Sequence, residues 1–178
     1  MMKEVAAESL QLNPMMQIGH EWMLLTAGNN ATGYNTMTVA WGHMGVIWNR
    51  PGNKRPCHYL PTVAAYVRPQ RYTKEFMDRE ELFTLCVFDE DQRPALTYLG
   101  SHSGRDGDKV AAAGLTPVFD GGVTYFKEAK LVYVCRKLYH QTLQEEGFCD
   151  PSLVEYNYPN RDFHEMYIGE IVRVLERE

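Results

Sequence analysis

Strand-like segments joined by short connections constrain the fold of this chain more than any other feature of its sequence. Residues 21–27 (EWMLLTA) and 62–67 (TVAAYV) are apolar and rich in small and β-branched residues. The run YNTMTVAW, which begins at Tyr34 and continues through HMGVIW, predicts a long strand kinked at glycine. LFTLCVF, VTYFKEAKLVYVCRKLYHQTL and EMYIGEIVRVLE add further strand regions. Because most connections are too short for repeated βαβ crossovers, the pattern predicts a mainly β protein with an antiparallel sheet or barrel.

The segments between the strands predict short helical insertions and one loop. TKEFMDREE is expected to form a short helix with Thr73 as its N-cap and with Phe76 and Met77 on its inner side. The stretch after LFTLCVF suits one helix, a glycine-serine turn and a second short helix closed by Gly114. Residues 49–61 (NRPGNKRPCHYLP) contain three prolines and predict an inserted surface loop.

Composition limits the classes of function. The chain has 178 residues, 44% of them hydrophobic and 23% charged, which predicts a single domain over residues 1–178. A net charge of -5 argues against a surface built for nucleic acid. The sequence has no apolar run of the roughly 20 residues that span a bilayer and no signal-peptide pattern, so we expect a cytoplasmic protein without a membrane partner. The scattered cysteines and histidines match no metal-ligand spacing, and we expect no metal site.

The stretch YVRPQRYTKEF carries the chemistry of an anion site. Arg68 and Arg71 lie on either side of Pro69 and Gln70, and arginine offers a planar fork of donors that matches phosphate oxygens. Tyr72 and Thr73 add neutral hydroxyl donors. The alternative is that the arginines are surface residues at a strand end and that Thr73 is only a helix cap.

A second polar run, GSHSGRDGDK, occupies residues 100–109. Its glycines and serines leave backbone amides accessible, and Arg105 and Lys109 are four residues apart, which places them on one side of a helical turn. The run could complete an anion site or hold the polar edge of a ring. The alternative is a solvated turn followed by an amphipathic helix.

Two further segments suit a planar ligand. In NTMTVAWG, Asn35 and Thr38 can present polar groups at the mouth of a strand while Trp41 offers a large flat face. The alternative places Met37 and Trp41 in the core. His164, just before the last strand, could act near a cofactor ring, or could be an ordinary hydrogen-bonded residue at a strand edge.

The order of these motifs resembles a known family. NTMTVAW, VRPQRYTKEF, GSHSGRDGDK, GLTPVF and HEMYIGEIV follow one another as in the flavin reductase-like family that includes the flavoredoxins. The resemblance covers residues 13–175, and RPQRYT and SGRDGDK are its most specific parts. It implies an FMN-binding split β-barrel, a six-stranded antiparallel Greek key with short flanking helices. It also implies a homodimer with FMN near the dimer interface.

The resemblance also implies roles for individual residues. The FMN phosphate would be held by the RPQRYT run and the turn of the second polar run: Arg68, Gln70, Arg71, Tyr72, Thr73, Ser101, Ser103, Gly104 and Arg105. The isoalloxazine ring would be lined by Asn35, Thr36, Met37, Thr38 and Trp41. Lys109 and His164 match positions near the ring and are the catalytic candidates. The loop at residues 49–61 is longer than is usual in the family, which leaves the access to the ring undetermined.

The expected function is that of an FMN-dependent oxidoreductase of the flavin reductase type. Electrons would pass from NAD(P)H through FMN to free flavin or to a protein acceptor. Two alternatives remain: a flavoredoxin-like electron-transfer protein that does not itself use NAD(P)H, and a flavin-binding protein without turnover. Tyr156, Tyr158, Phe163 and Tyr167 are expected to contribute to the interface of the homodimer.

Overall fold

A computed structural model describes all 178 residues of the chain as ten strands and five helices. The strands are Met2–Val5 (β1), Met23–Asn29 (β2), Gly33–Val39 (β3), Gly42–Ile47 (β4), Leu60–Val67 (β5), Leu82–Val87 (β6), Pro117–Asp120 (β7), Val123–Phe126 (β8), Leu131–Thr142 (β9) and Glu165–Arg177 (β10). The helices are Pro14–Met16 (α1, continued by a π-helical turn Gln17–Glu21), Thr73–Arg79 (α2), Arg93–Ser101 (α3), Lys109–Ala112 (α4) and Pro151–Asn157 (α5). No helix is long and apolar enough to cross a membrane.

Eight of the strands form one antiparallel sheet in the order β3-β2-β6-β9-β10-β5-β4. The long strand β10 pairs along one side with β9, while its other side pairs first with β5 and then, over residues 174–177, with β1. Strands β7 and β8 form a separate hairpin. The prediction of a mainly β, antiparallel architecture is confirmed, and β1 and β4 extend the six strands that were expected.

The sheet curls so that strands from opposite ends of its order share one core. Met37 of β3 and Val63 of β5 are buried in the same cluster of 20 residues, together with Leu25, Leu85 and Tyr133 from the strands between them. The opposite face of the sheet packs against α3, α4 and β8 through a second cluster of 15 residues. Because side chains alternate along a strand, each central strand supplies both clusters. The curled sheet is the barrel, and the helices lie outside it.

The structure divides the predicted kinked strand in two and shifts one helix cap. β3 ends at Val39 and β4 begins at Gly42, so Trp41 lies in the bend between them. Tyr72, not Thr73, occupies the N-cap position of α2, and no side chain caps that helix end. Thr73 is the first helical residue, and its buried hydroxyl accepts a hydrogen bond from Asn35 Nδ2 at 2.8 Å. The predicted N-cap was therefore wrong, and Thr73 instead ties α2 to β3.

The inserted loop is confirmed for residues 49–59, but β5 begins earlier than predicted. Leu60 and Pro61 already belong to this strand, with Pro61 opposite Val46. The pairing of β5 with β10 stops at Thr62, so the missing amide of Pro61 leaves no gap on that side. Arg50 pairs with the buried carboxylate of Glu170 at 2.6 Å, which fixes the loop over β10.

Two of the aromatic residues expected at a dimer interface are buried within the single chain. Tyr158 is 3% exposed and Tyr167 is fully buried, the latter with its hydroxyl on Asp78. Tyr156 is 87% exposed. The expectation that all four aromatic residues form a surface was wrong for Tyr158 and Tyr167, because α5 and β10 turn these two side chains inward.

Candidate functional site

A small polar cavity lies where β3, α2 and the end of α3 meet, and it is called here the anion cavity. Its volume is about 160 Å³. It is lined by Asn35, Gln70, Arg71, Tyr72, Thr73, Ser101, His102, Ser103 and Lys109. Six of these nine residues were predicted to contact a phosphate, Asn35 and Lys109 were predicted near a ring, and His102 was not predicted. The segment that connects β5 to α2 forms one half of the cavity wall. The end of α3 and the turn between α3 and α4 form the other half.

Two positive charges face this cavity without a counter-charge. Arg71 makes no ion pair and no side-chain hydrogen bond, and burial lowers its pKa. Lys109 Nζ donates to the backbone oxygens of Leu99 (3.2 Å) and His102 (3.0 Å). Burial, and then the charge of Arg71, lower the pKa of Lys109 to about 8. A buried lysine beside a partly buried arginine can receive an anion.

Close backbone packing supports one wall of the anion cavity. An added Cβ on Gly104 would lie 2.2 Å from Asn35 Oδ1 and 3.3 Å from the ring of Tyr72, so only glycine fits there. The bond from Asn35 Nδ2 to Thr73 then joins β3 to α2 across the cavity. The turn at Gly104 therefore sets the distance between the segments that carry Arg71 and Lys109.

Arg68 is not brought to the anion cavity. Its guanidinium pairs with Asp162 (Nη1 to Oδ2, 2.5 Å) and donates to the backbone oxygen of Asn157 at 2.8 Å. Gln70 Nε2 also donates to Asp162 Oδ2, at 2.9 Å. These hydrogen bonds lower the pKa of the Asp162 carboxyl. The two arginines of the RPQR run thus differ, because Arg68 holds the segment before β10 while Arg71 faces the cavity.

Arg105 is likewise held by protein groups. It forms an ion pair with Glu75, and its guanidinium lies 4.4 Å from the centre of the Tyr72 ring. Both side chains of the pair are about half exposed. Arg105 therefore covers Tyr72 from the solvent side, and its charge is already matched by a carboxylate.

Strand β3 sends the predicted ring-binding side chains in different directions. Thr36 is fully buried between the Thr26 hydroxyl, 2.8 Å away, and the backbone oxygen of Leu25. Met37 belongs to the barrel core. Thr38 donates to the backbone oxygen of Leu96 and fixes α3 on the sheet. Of Thr36, Met37 and Thr38, only backbone atoms could contact a ligand. The exposed side chain in this region is that of Trp41, which follows the end of the strand.

An apolar groove of about 670 Å³ lies around Trp41. Trp41 is 46% exposed. The groove is lined by Pro14, Met15, Ile18, Gly19, Ala40, Trp41, Gly42, His43, Met44, Tyr66, Leu143 and Tyr158. None of residues 49–61 lines it, so the inserted loop leaves this groove open.

His164 packs against Trp41 and Tyr158, two residues that line the groove. It is buried, with its ring centre 5.0 Å from that of Trp41 and its Nδ1 2.8 Å from the hydroxyl of Tyr158. Burial, and then the charge of Arg68, lower the pKa of His164 to about 4. The imidazole is therefore neutral near pH 7 and holds Trp41 and Tyr158 in place.

The groove and the anion cavity lie at opposite ends of one strand. Asn35 lines the cavity near the start of β3, and Trp41 follows the end of the strand. The four residues from Asn35 to the strand end at Val39 span roughly 13 Å at about 3.3 Å each, and Trp41 lies two residues further, in the bend. A ligand with an anionic end and a flat apolar end could occupy both places.

Some lining residues were missed by the sequence analysis. His102 lies within the quoted run GSHSGRDGDK, and Tyr66 begins YVRPQRYTKEF, so both were adjacent to recognised motifs. His43, Met15 and Ile18 had no local signal. They reach the groove only because α1 and β4 fold against each other.

Comparison with known proteins defines the class. The arrangement is that of a split-barrel domain with a cation-lined cavity at one end of a strand and an apolar groove at the other. The family described as "Flavin reductase like domain" matches residues 57–178, and the chain belongs to this family. No curated protein matches the chain significantly.

Solved structures agree on the fold. An FMN-binding domain of a flavin reductases-like enzyme from Shewanella baltica OS155 is similar at 15% identity and a TM-score of 0.65, over 98% of this chain and 76% of that one. An FMN-binding protein from Thermus thermophilus has 19% identity and a TM-score of 0.64, over 99% of this chain and 83% of that one. Flavoredoxin of Desulfovibrio vulgaris (Miyazaki F) has 20% identity and a TM-score of 0.63, over 97% and 77%. The predicted split barrel is thereby confirmed.

Proposed function

We propose that this protein binds FMN and is an oxidoreductase of the flavin reductase type, passing electrons from NAD(P)H through FMN to free flavin or a protein acceptor. One observation carries the proposal: the cations of Arg71 and Lys109 share a cavity without a counter-charge, at one end of the strand that leads to Trp41. A phosphate suits the cavity, and a planar ring suits the groove. The residues present therefore fit FMN in charge, polarity and order.

The chain's own residues bind and orient the cofactor in this proposal. A bound flavin supplies hydride and single-electron transfer. Arg71 and Lys109 hold the phosphate, with hydroxyls of Ser103 and Thr73 beside them. We therefore assign Lys109 to binding and not to proton transfer. His164 is a positioning residue, because a neutral imidazole beneath Trp41 keeps the groove in shape and does not donate a proton as an acid at pH 7.

A flavoredoxin-like electron carrier is the second candidate, and one feature favours it. The apolar groove contains no lysine or arginine among its lining residues. A nicotinamide dinucleotide carries phosphates that need such partners, whereas electron transfer to a docked protein does not. The apolar rim, which includes Met15 and Met44, suits contact with a partner surface.

We further propose a homodimer. Besides Trp41, the edge strand β4 and the bend after it expose Val46, Ile47 and Trp48, each more than 40% accessible. An exposed edge strand with apolar side chains is a surface that pairing would cover. The expected mass in light scattering is twice the chain mass of 20.5 kDa.

Spectroscopy and rapid mixing test the function. FMN-loaded protein should show a flavin absorption spectrum that stays with the protein during gel filtration. Anaerobic mixing with NADH or NADPH should then bleach the flavin within seconds if the reductase proposal is right. A flavin spectrum without bleaching by either nucleotide, but with reduction by a low-potential protein donor, would support the carrier. Absence of any flavin binding would contradict both.

A further inference from the structure

One polar pair interrupts the apolar lining of the groove, and it is called here the Tyr66–His43 pair. The Tyr66 hydroxyl lies 3.3 Å from His43 Nδ1, and the two rings meet edge to face with their centres 5.8 Å apart. Both residues line the groove. In the pairing of β4 with β5, His43 lies opposite Ala64, so Tyr66, two residues further along β5, is on the same face of the sheet. The register of the two strands therefore brings the pair together.

The pair keeps one hydrogen-bond donor for a ligand in either of its two arrangements. If His43 Nδ1 accepts from the Tyr66 hydroxyl, the proton of the neutral imidazole is on Nε2 and is free. If Nδ1 donates to the Tyr66 oxygen, the hydroxyl proton is free instead. Neither group has another partner in the protein. Tyr158, the other tyrosine of the groove, already uses its hydroxyl on His164. The Tyr66–His43 pair is therefore the side-chain donor that the groove offers.

The charge and shape of the groove select a flat, neutral ligand. Its lining residues include no aspartate, glutamate, lysine or arginine. An anionic ligand would lose its hydration there without gaining a charged partner. Trp41 offers a flat, partly exposed face on which a ring can stack. A single donor in an apolar wall matches a carbonyl oxygen, so the groove suits a ring that carries a carbonyl group.

The groove has room for such a ring beside that of a flavin. Its volume of about 670 Å³ lies in the upper half of the range of about 300–1,000 Å³ that holds whole small molecules. In the proposed function the flavin ring reaches Trp41 along β3 from the anion cavity. The Tyr66–His43 pair lies beyond Trp41, on β4 and β5. The Tyr66 ring also meets the ring of His164 edge to face, at 6.4 Å between centres, which fixes its orientation.

We propose that this end of the groove binds a quinone as electron acceptor, with a carbonyl oxygen of the quinone on the Tyr66–His43 pair. A quinone is flat and uncharged, and it carries the carbonyl oxygens that the donor requires. Its reduction to a hydroquinone takes one hydride and one proton. The hydride comes from reduced flavin, which is thereby oxidised, and the proton comes from the pair and is replaced from solvent through the exposed His43. This inference rests on the proposed flavin-binding function and names a class of acceptor.

Calorimetric titration of the oxidised, FMN-loaded protein with 2,3-dimethyl-1,4-naphthoquinone tests the proposal without turnover, because an oxidised flavin has no electrons to give. The two methyl groups block addition of a free thiol such as that of the exposed Cys149. Since either member of the pair can supply the donor, the double variant Tyr66→Phe/His43→Phe removes both donors and keeps two flat rings. We expect it to bind this quinone about three- to tenfold more weakly, which is the effect of one neutral hydrogen bond.

Two controls accompany this titration. Tyr139→Phe removes an exposed hydroxyl of β9 that is outside the groove, and it should leave quinone affinity unchanged. The matched ligand is 2-hydroxy-3-methyl-1,4-naphthoquinone, which has nearly the same size and is an anion at pH 7. We expect the wild-type protein to bind it at least about tenfold more weakly than the neutral quinone. Equal affinities for the two ligands would overturn the selection of a neutral acceptor.

The remaining outcomes separate this inference from the proposed function. Quinone affinity that is the same in the wild type and the double variant, or no quinone binding at all, would overturn the quinone site while FMN binding left the proposed function standing. A loss of FMN affinity as large as the loss of quinone affinity in the double variant would overturn it too, since the pair would then serve the flavin ring. A protein that binds no FMN would contradict both proposals.

Discussion

Arg71 and Lys109 bring two positive charges to one small cavity with no carboxylate between them. Burial, and then the charge of Arg71, lower the pKa of Lys109 from 10.5 to about 8. Near pH 7 the two side chains are both charged and repel each other, which disfavours the empty cavity. An anion that binds between them removes that repulsion.

FMN affinity should depend on pH through Lys109. A bound phosphate raises the pKa of Lys109 towards its ordinary value, so binding is accompanied by proton uptake above pH 8. Affinity should begin to fall above about pH 7, should be roughly halved at pH 8 and should fall more steeply up to pH 9.5, by at most about tenfold per pH unit. Fluorescence titrations across this range measure it.

Two controls isolate the lysine. Lys109→Arg keeps a positive charge at all these pH values and should remove the dependence. Riboflavin has no phosphate, and its affinity should be flat in the wild type. An FMN dissociation constant that stays unchanged from pH 7 to 9.5 in the wild-type protein would show that Lys109 does not sense the phosphate.

Removal of the Arg71 guanidinium should distinguish FMN from riboflavin. A lost charge-assisted hydrogen bond costs on the order of 1.5–3 kcal/mol, which is roughly ten- to hundredfold in affinity. Arg71→Ala should therefore weaken FMN binding by that factor and hardly change riboflavin binding. Trp41→Ala should weaken both. Equal losses for the two ligands in Arg71→Ala, with the fold intact by circular dichroism, would assign Arg71 a structural role.

Arg68→Ala is the matched control in the same segment. Arg68 is bound to Asp162, Asn157 and the ring of Tyr158, so its loss should destabilise the segment before β10 and spare the phosphate. We expect a loss of about 1–3 kcal/mol in the free energy of unfolding and less than about a threefold change in FMN affinity. Urea unfolding of the flavin-free protein, with titration of FMN at native conditions, measures the two effects. The reverse result, stable protein with weak FMN binding, would place Arg68 at the phosphate.

The different roles of Arg68 and Arg71 show where sequence analysis reaches its limit. Both arginines stand in the same short motif, which predicted an anion site, and the structure places Arg71, Tyr72 and Thr73 of this motif around one cavity. The partner of Arg68 is Asp162, which is 94 positions away, and only the tertiary fold brings the two together. Local patterns therefore singled out most of the residues that line this cavity, but they could not tell which of the two arginines would be neutralised by a carboxylate.

Strand β3 shows a second limit. The alternation in NTMTVAW correctly predicted a strand, but it did not tell which face of the strand points to the barrel core. A shift of one residue in the pairing would exchange the two faces. Thr36 and Met37 accordingly turned out to be buried on opposite sides of the sheet. Strand β1 was not predicted, because a four-residue strand gains its stability from pairing with β10 and not from its own sequence. Helix α5 was also not predicted.

His164 should make the protein less stable in acid. Its pKa is about 4 in the folded protein and near 6.5 in an unfolded chain, so the unfolded state binds the proton more readily between these values. The contribution is complete above pH 6.5 and is lost as the pH falls towards 4, by about 3 kcal/mol at most. His164→Gln cannot take up a proton, and it should flatten this part of the pH profile in thermal or urea unfolding. Parallel profiles for the two proteins would mean that His164 titrates normally.

The inserted loop should support the fold and have no part in flavin binding. Arg50 and Arg55 of the loop both face the buried Glu170, with closest distances of 2.6 and 3.7 Å, and no residue of the loop lines the groove. Arg50→Ala removes the shorter contact from a carboxylate that burial makes costly to leave unpaired, so we expect a loss of about 1–3 kcal/mol in unfolding free energy. Arg161→Ala, which removes an exposed pair with Glu145, is the control and should cost less than about 1 kcal/mol. FMN affinity should stay within about twofold of wild type in both variants, a difference below about 0.5 kcal/mol. A large loss of FMN affinity in Arg50→Ala, without loss of stability, would instead give the loop a direct role at the groove.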